Sequence, residues 1–229
     1  MRYNDLIEDA TNDMGARDQI RSVIRRLIKV MPSFSEFHIG ELSSPKGSLK
    51  IPYLTMKEMG FSDFTDLAIG TIDVSDDIGV FMKIPDDRNV NIPAVNMLLI
   101  TAKPDATPSQ VAQSIRKLPY TVIHELVHYQ DLKRKKGKTV SATSNTDMSA
   151  SDYFNHSFEL NAYYHEGIAR MEDNQNFMAM TDMEFTDFIK FSFRFFERDW
   201  LQHLSDDNRK RLIKRLFSLW QSYQNTNPA

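Results

Sequence analysis

The chain contains no cysteine, so neither a disulfide framework nor a thiolate metal site can form. That absence fits a reducing compartment. No apolar run reaches the roughly 20 residues a helix needs to cross a bilayer. The opening "MRYNDLIEDATNDMG" is acidic and lacks the apolar centre of a signal peptide. A soluble, cytoplasmic protein with no membrane partner is therefore expected. Positive charge is not in excess either: 28 Lys and Arg face 31 Asp and Glu, a net charge of -3. That balance offers no electrostatic footprint for nucleic acid or an acidic lipid surface. No repeat at a fixed period is present, and 229 residues suit a single domain over 1–229 with one sizeable core.

Hydrophobic spacing supplies the elements. Ile20, Val23, Ile24, Leu27 and Ile28 recur at helical intervals, which predicts an amphipathic helix over 15–31 ending near Pro32. "SEFHIGEL" reads as a short strand, whereas 43–66 is ambiguous, punctuated by Gly47, Pro52 and Gly60. Three strands are expected at 68–74, 79–84 and 94–102, separated by Asp-rich turns. "TPSQ" at 107–110 predicts a helix start with Thr107 as N-cap and Gln110 closing a capping box. Pro119 breaks that helix, and a second runs from there to about Lys136. The Ser/Thr/Asn-rich segment 137–152 reads as a loop, and three helices complete the chain within 153–171, 183–204 and 206–224. Helix, strands, then helices only is an α+β order.

The chemistry concentrates in "YTVIHELVHYQD", residues 120–131. His124 and His128, four apart on a helix, project from one face, and Glu125 sits beside them. Zinc takes neutral imidazoles as ligands and needs an open position for water, with a base nearby to accept its proton. HExxH provides the two donors and the base within five residues. Val122, Ile123, Leu126 and Val127 imply a buried helix, in which polar side chains are costly unless paired or metal-bound. Two ordinary helix histidines are the rival reading.

A third ligand must come from elsewhere. Asp131 and Arg134 stand where the metzincin extension needs Gly and His, so that class is excluded; HxxEH is absent too. A carboxylate from a later helix is the remaining option, and "NHSFELNAYYHEG" offers Glu159, 31 residues after His128. Glu159, Ala162, Tyr163 and Glu166 share a face, and the small Ala162 permits close helix approach. His156 is the next candidate, followed by Glu166 and Asp152. Asp131 can fix a ligand histidine's tautomer or be an exposed helix aspartate. Tyr163 or Tyr164 can stabilise an oxyanion or be core aromatics.

"HELVHYQD" followed by "FELNAYYHEG" resembles the zincins with HExxH and a distant glutamate, the gluzincin branch of zinc peptidases. More narrowly, it resembles small peptidase-like proteins of tailed bacteriophages. The resemblance covers residues 119–167. It departs from larger gluzincins in that Phe158, not Asn, precedes Glu159. It implies a zincin-like fold, one Zn²⁺ on His124, His128 and Glu159, Glu125 as general base, and a peptide or protein substrate. An endopeptidase is implied rather than an exopeptidase, acting in a host cytoplasm or carried in a virion. It further implies that strand 79–84 is the sheet edge lining the cleft. The acidic pairs at 76–77 and 86–87 would guard that edge against aggregation. Two alternatives differ in class: a zinc-bearing structural or binding protein without turnover, such as a virion component, and a helical interaction module over 181–224.

The other features have plainer readings. "KRKKGK" at 133–138 places basic residues where a helix dipole favours them. The Phe-rich 188–196 reads as core or an oligomer contact. His38 and His203 are given no role.

Overall fold

The computed structural model describes residues 3–44, 47–73, 80–83, 96–134, 149–174, 177 and 182–226. It is an α+β chain in two compact units, residues 21–129 and residues 1–20 with 130–229. Helix α1 (Tyr3–Val30) precedes strands β1 (His38–Ser44), β2 (Gly47–Thr55), β3 (Leu67–Ile72), β4 (Val80–Lys83) and β5 (Asn96–Thr101). Helices α2 (Pro108–Lys117), α3 (Pro119–Arg134), α4 (Ala150–Asn155), α5 (Ser157–Glu172), α6 (Phe185–Ser192), α7 (Arg198–His203) and α8 (Asp206–Thr226) follow.

In the unit spanning 21–129 the five strands make one mixed sheet, ordered β1-β2-β3-β5-β4. β3 and β5 are parallel, with Gly70 opposite Leu99, and their buried runs explain why both read as nearly continuous apolar stretches. Among the described residues β4 pairs antiparallel with β5 alone, so the strand expected at the sheet edge is at the edge. The ambiguous stretch 43–66 contains β2, whose partner β1 runs antiparallel to it from His38↔Tyr53 to Ser44↔Gly47. Ile51, Tyr53, Ala68, Met97 and Leu99 pack on one sheet face. Gly70 leaves room for them: a Cβ there would lie 2.6 Å from Met97 Cε and 2.9 Å from Leu99 Cδ2, so those side-chain ends would have to move. The acidic pairs flanking β4 lie outside the described residues.

The predicted helix start at Thr107 is present. Its Oγ1 accepts from Gln110 N at 3.3 Å, while its own N–H donates to Gln110 Oε1 at 2.8 Å. α1 begins earlier than the apolar spacing implies. Gly15 lies inside it with open space around its Cα, a placement that costs a helix only about 1 kcal/mol.

In the other unit, where three helices are expected after residue 152, the described residues form five, and the first begins early. Ser149 caps α4 by accepting from Asp152 N at 3.1 Å, so the last residues of the predicted 137–152 loop are helical. Residues 137–148 of that loop lie outside the described residues. The break at His156 follows from Asn155, whose side chain is held elsewhere. Its Nδ2 donates to His203 O at 2.7 Å, and its Oδ1 accepts from Ser205 N at 2.7 Å. Those bonds tie the end of α4 to the α7–α8 turn, and the chain re-enters a helix only at Ser157. The Phe-rich stretch is core: Phe188, Phe191 and Phe196 are buried with Tyr164, Trp200 and Tyr223, while Phe193 and Phe195 pack against them.

Candidate metal centre

Leu118 closes α2 and its carbonyl accepts from Val122 N at 3.0 Å, so Pro119 opens α3 where its missing N–H is harmless. Val122, Ile123, His124, Leu126, Val127 and Tyr129 are buried on α3, as the apolar filling of the motif implies. The residue after the second histidine fastens this helix to the sheet. Tyr129 O–H donates to Asp66 Oδ1, just before β3, and Asn96 Nδ2 at the start of β5 reaches Asp66 Oδ2 at 3.4 Å. Burial first, then the bond to Asp66 and its charge, push the Tyr129 phenol pKa up, so it remains a donor. Phe64, with φ 61°, stacks on the Tyr129 ring at 5.1 Å between centroids.

The two histidine rings meet at 81° with Nε2 atoms 3.2 Å apart. Two nitrogens held about 2.05 Å from one tetrahedral ion are about 3.3 Å apart. The pair therefore has the spacing of two ligands, and a shared proton can occupy the same gap. His124 is buried and His128 half-buried. Glu159 is also buried, at N3 of α5 counting from His156 as N-cap, where the helix N-terminus favours a carboxylate. Two imidazoles and one carboxylate are the donor set of a catalytic zinc site with one position open, so the residues fit this ion. Glu125 is half-buried on α3.

The other candidates for third ligand have different surroundings. His156 is not one turn back on the same helix: its ψ of 137° places it in the break between α4 and α5, with its ring stacked on Phe158. Glu166 is buried and accepts from Arg170 Nη2 at 2.6 Å. Asp152 accepts from Ser149 Oγ at 2.7 Å in the cap of α4. Tyr163 stacks on Trp200 at 5.5 Å, and Arg215 covers the buried Tyr164 ring at 3.6 Å, so both tyrosines have core neighbours. Asp131 accepts from Asn161 Nδ2 at 2.8 Å. Asp66 and Asn161 escape sequence reasoning, because a single polar residue far from the motif carries no spacing signal.

No known protein family, curated protein or solved structure matches this chain. Among the described residues no helix is long and apolar enough to cross a membrane.

Proposed function

We propose that the protein is a zinc-dependent peptidase of zincin-like, gluzincin-like type, with His124, His128 and Glu159 as ligands and Glu125 as general base. The paired rings of His124 and His128 on α3, with Nε2 atoms 3.2 Å apart, carry the reading. Zinc in such a site supplies a Lewis acid for the scissile carbonyl and lowers the pKa of water. The two imidazoles and the carboxylate would hold the ion, three protein ligands being the number a catalytic zinc site uses. Glu125, one residue along α3 from His124, accepts the proton from the attacking water and returns it to the leaving amine. Tyr129, held by Asp66, keeps the histidine helix in register with the sheet. β4, the open edge of that sheet, can take an extended peptide as an added strand.

Glu125→Gln is the direct test. Glutamine keeps the shape and leaves the three ligands in place, so zinc content and thermal melt should match wild type. Hydrolysis of a peptide mixture should fall by roughly 10²–10⁴ with the loss of the base. An active variant with full zinc would sink the mechanism, and zinc loss in that variant would make Glu125 a ligand. A wild type loaded with zinc but inert on peptides would favour a non-catalytic, zinc-bearing structural or binding protein.

A further inference from the structure

Asn161 is two residues after Glu159 on α5, and Asp131 is three after His128 on α3. Asn161 Nδ2 donates to Asp131 Oδ2 at 2.8 Å in a partly buried setting. The Asp131 side chain is 14% exposed, and its other oxygen faces the exposed Arg134 Nη1 at 3.9 Å. At about 100° per residue, Glu159 and Asn161 point to opposite flanks of α5, with Phe158 and Ala162 midway between them. A bond on one flank therefore opposes rolling of the helix about its axis, and rolling is the motion that would swing the carboxylate on the other flank. Local structure gives α5 little of this restraint, because its N-cap His156 makes no side-chain capping bond and its first turn carries Glu159. A hydrogen bond to an ionised acceptor is of the stronger kind.

We propose that Asn161 is a positioning residue of the metal centre: by gripping Asp131 it holds α5 against the end of the histidine helix and so fixes where Glu159 presents its oxygen. This rests on the zinc reading of His124, His128 and Glu159. Partners of this kind behind metal ligands typically contribute 10–100-fold in affinity. Asn161 is suited to it because an amide donates at every pH, whereas a carboxylate there would repel Asp131.

The test is zinc affinity by competition against a chromogenic chelator, with thermal melts of the metal-free proteins alongside. Asn161→Ala should weaken zinc binding roughly 10–100-fold while the metal-free melt stays close to wild type. Asn161→Asp should weaken it likewise, and adding Asp131→Asn restores a donor facing an acceptor and should return affinity to within about 3-fold of wild type. In a Glu159→Gln background, removing Asn161 should change affinity less than about 3-fold, since the ligand it positions is already impaired. Unchanged affinity in Asn161→Ala overturns the proposal, as does a full loss that persists in the Glu159→Gln background. If Asn161→Ala does not fold, the swapped pair decides: wild-type-like affinity supports the role and lost affinity overturns it. A wild type that binds no zinc fails in its own arm and takes both readings with it.

Discussion

Glu159, His156 and Glu166 differ in what their surroundings leave each side chain to do. Glu159 is buried in the first turn of α5. Glu166 already holds Arg170, which also reaches Glu197 Oε1 at 2.5 Å. His156 stands in a helix break with its ring against Phe158. Glu159→Ala should therefore abolish zinc retention through dialysis, whereas His156→Ala and Glu166→Ala should each keep close to one zinc per chain. Metal analysis of the three dialysed variants reads this out. Retention by the Glu159 variant together with loss in the His156 variant would reverse the assignment.

At the scale of elements, the interior of α5 is shaped by a ring from the segment between α6 and α7. Gly167 lies in the middle of α5, and a Cβ there would lie no more than 3.0 Å from three ring atoms of Phe196. Replacing a helix glycine by alanine ordinarily gains about 1 kcal/mol, while overpacking a close contact costs about 1–3 kcal/mol. Gly167→Ala should therefore lower unfolding stability by up to about 2 kcal/mol in urea melts. Phe196→Leu in the same chain should recover part of that loss. A Gly167→Ala protein more stable than wild type would mean that Phe196 yields at little cost. The same packing explains the extra helix breaks: Asn155 and the 193–197 turn satisfy bonds across the bundle that one continuous helix would forgo.

Over the whole molecule, the net charge of -3 leaves room for a buried arginine beside a buried histidine. Arg17 is 1% exposed and donates to Glu172 Oε1 at 2.8 Å, and Tyr223 O–H donates to the same oxygen. His165 is buried nearby, and burial first, then the charges of Arg215, Arg17 and Arg134, hold its pKa well below the ordinary value. The folded protein thus keeps His165 neutral, whereas the unfolded chain protonates it below about pH 6.5. Stability from this group is complete above that pH and declines as pH falls toward the folded pKa. The slope is about 1.4 kcal/mol per pH unit. Chelator-treated wild type should therefore be less stable at pH 5.5 than at pH 7.5, with part of the loss from His165. His165→Gln should lose that share of the acid sensitivity, measured by urea denaturation at both pH values. Equal pH dependence in the two proteins would show that His165 protonates without penalty in the fold.

The sequence by itself determined the local matters, because their causes are local. Helical spacing and the Thr107 and Pro119 signals set α2 and α3, and apolar runs between Asp-rich turns set β3, β4 and β5. The four-residue interval of HExxH put His124 and His128 on one face. Tertiary structure decided what depends on distant partners. Asn155 reaches His203 and Ser205 and thereby ends α4, which removes His156 from the face it shares with Glu159 in an unbroken helix. Asp66, 63 positions from Tyr129, fastens the histidine helix to the sheet. Asn161 meets Asp131 across 30 positions of chain. Such bonds form between single polar residues whose separation obeys no period, so only the folded arrangement of the backbone makes them visible.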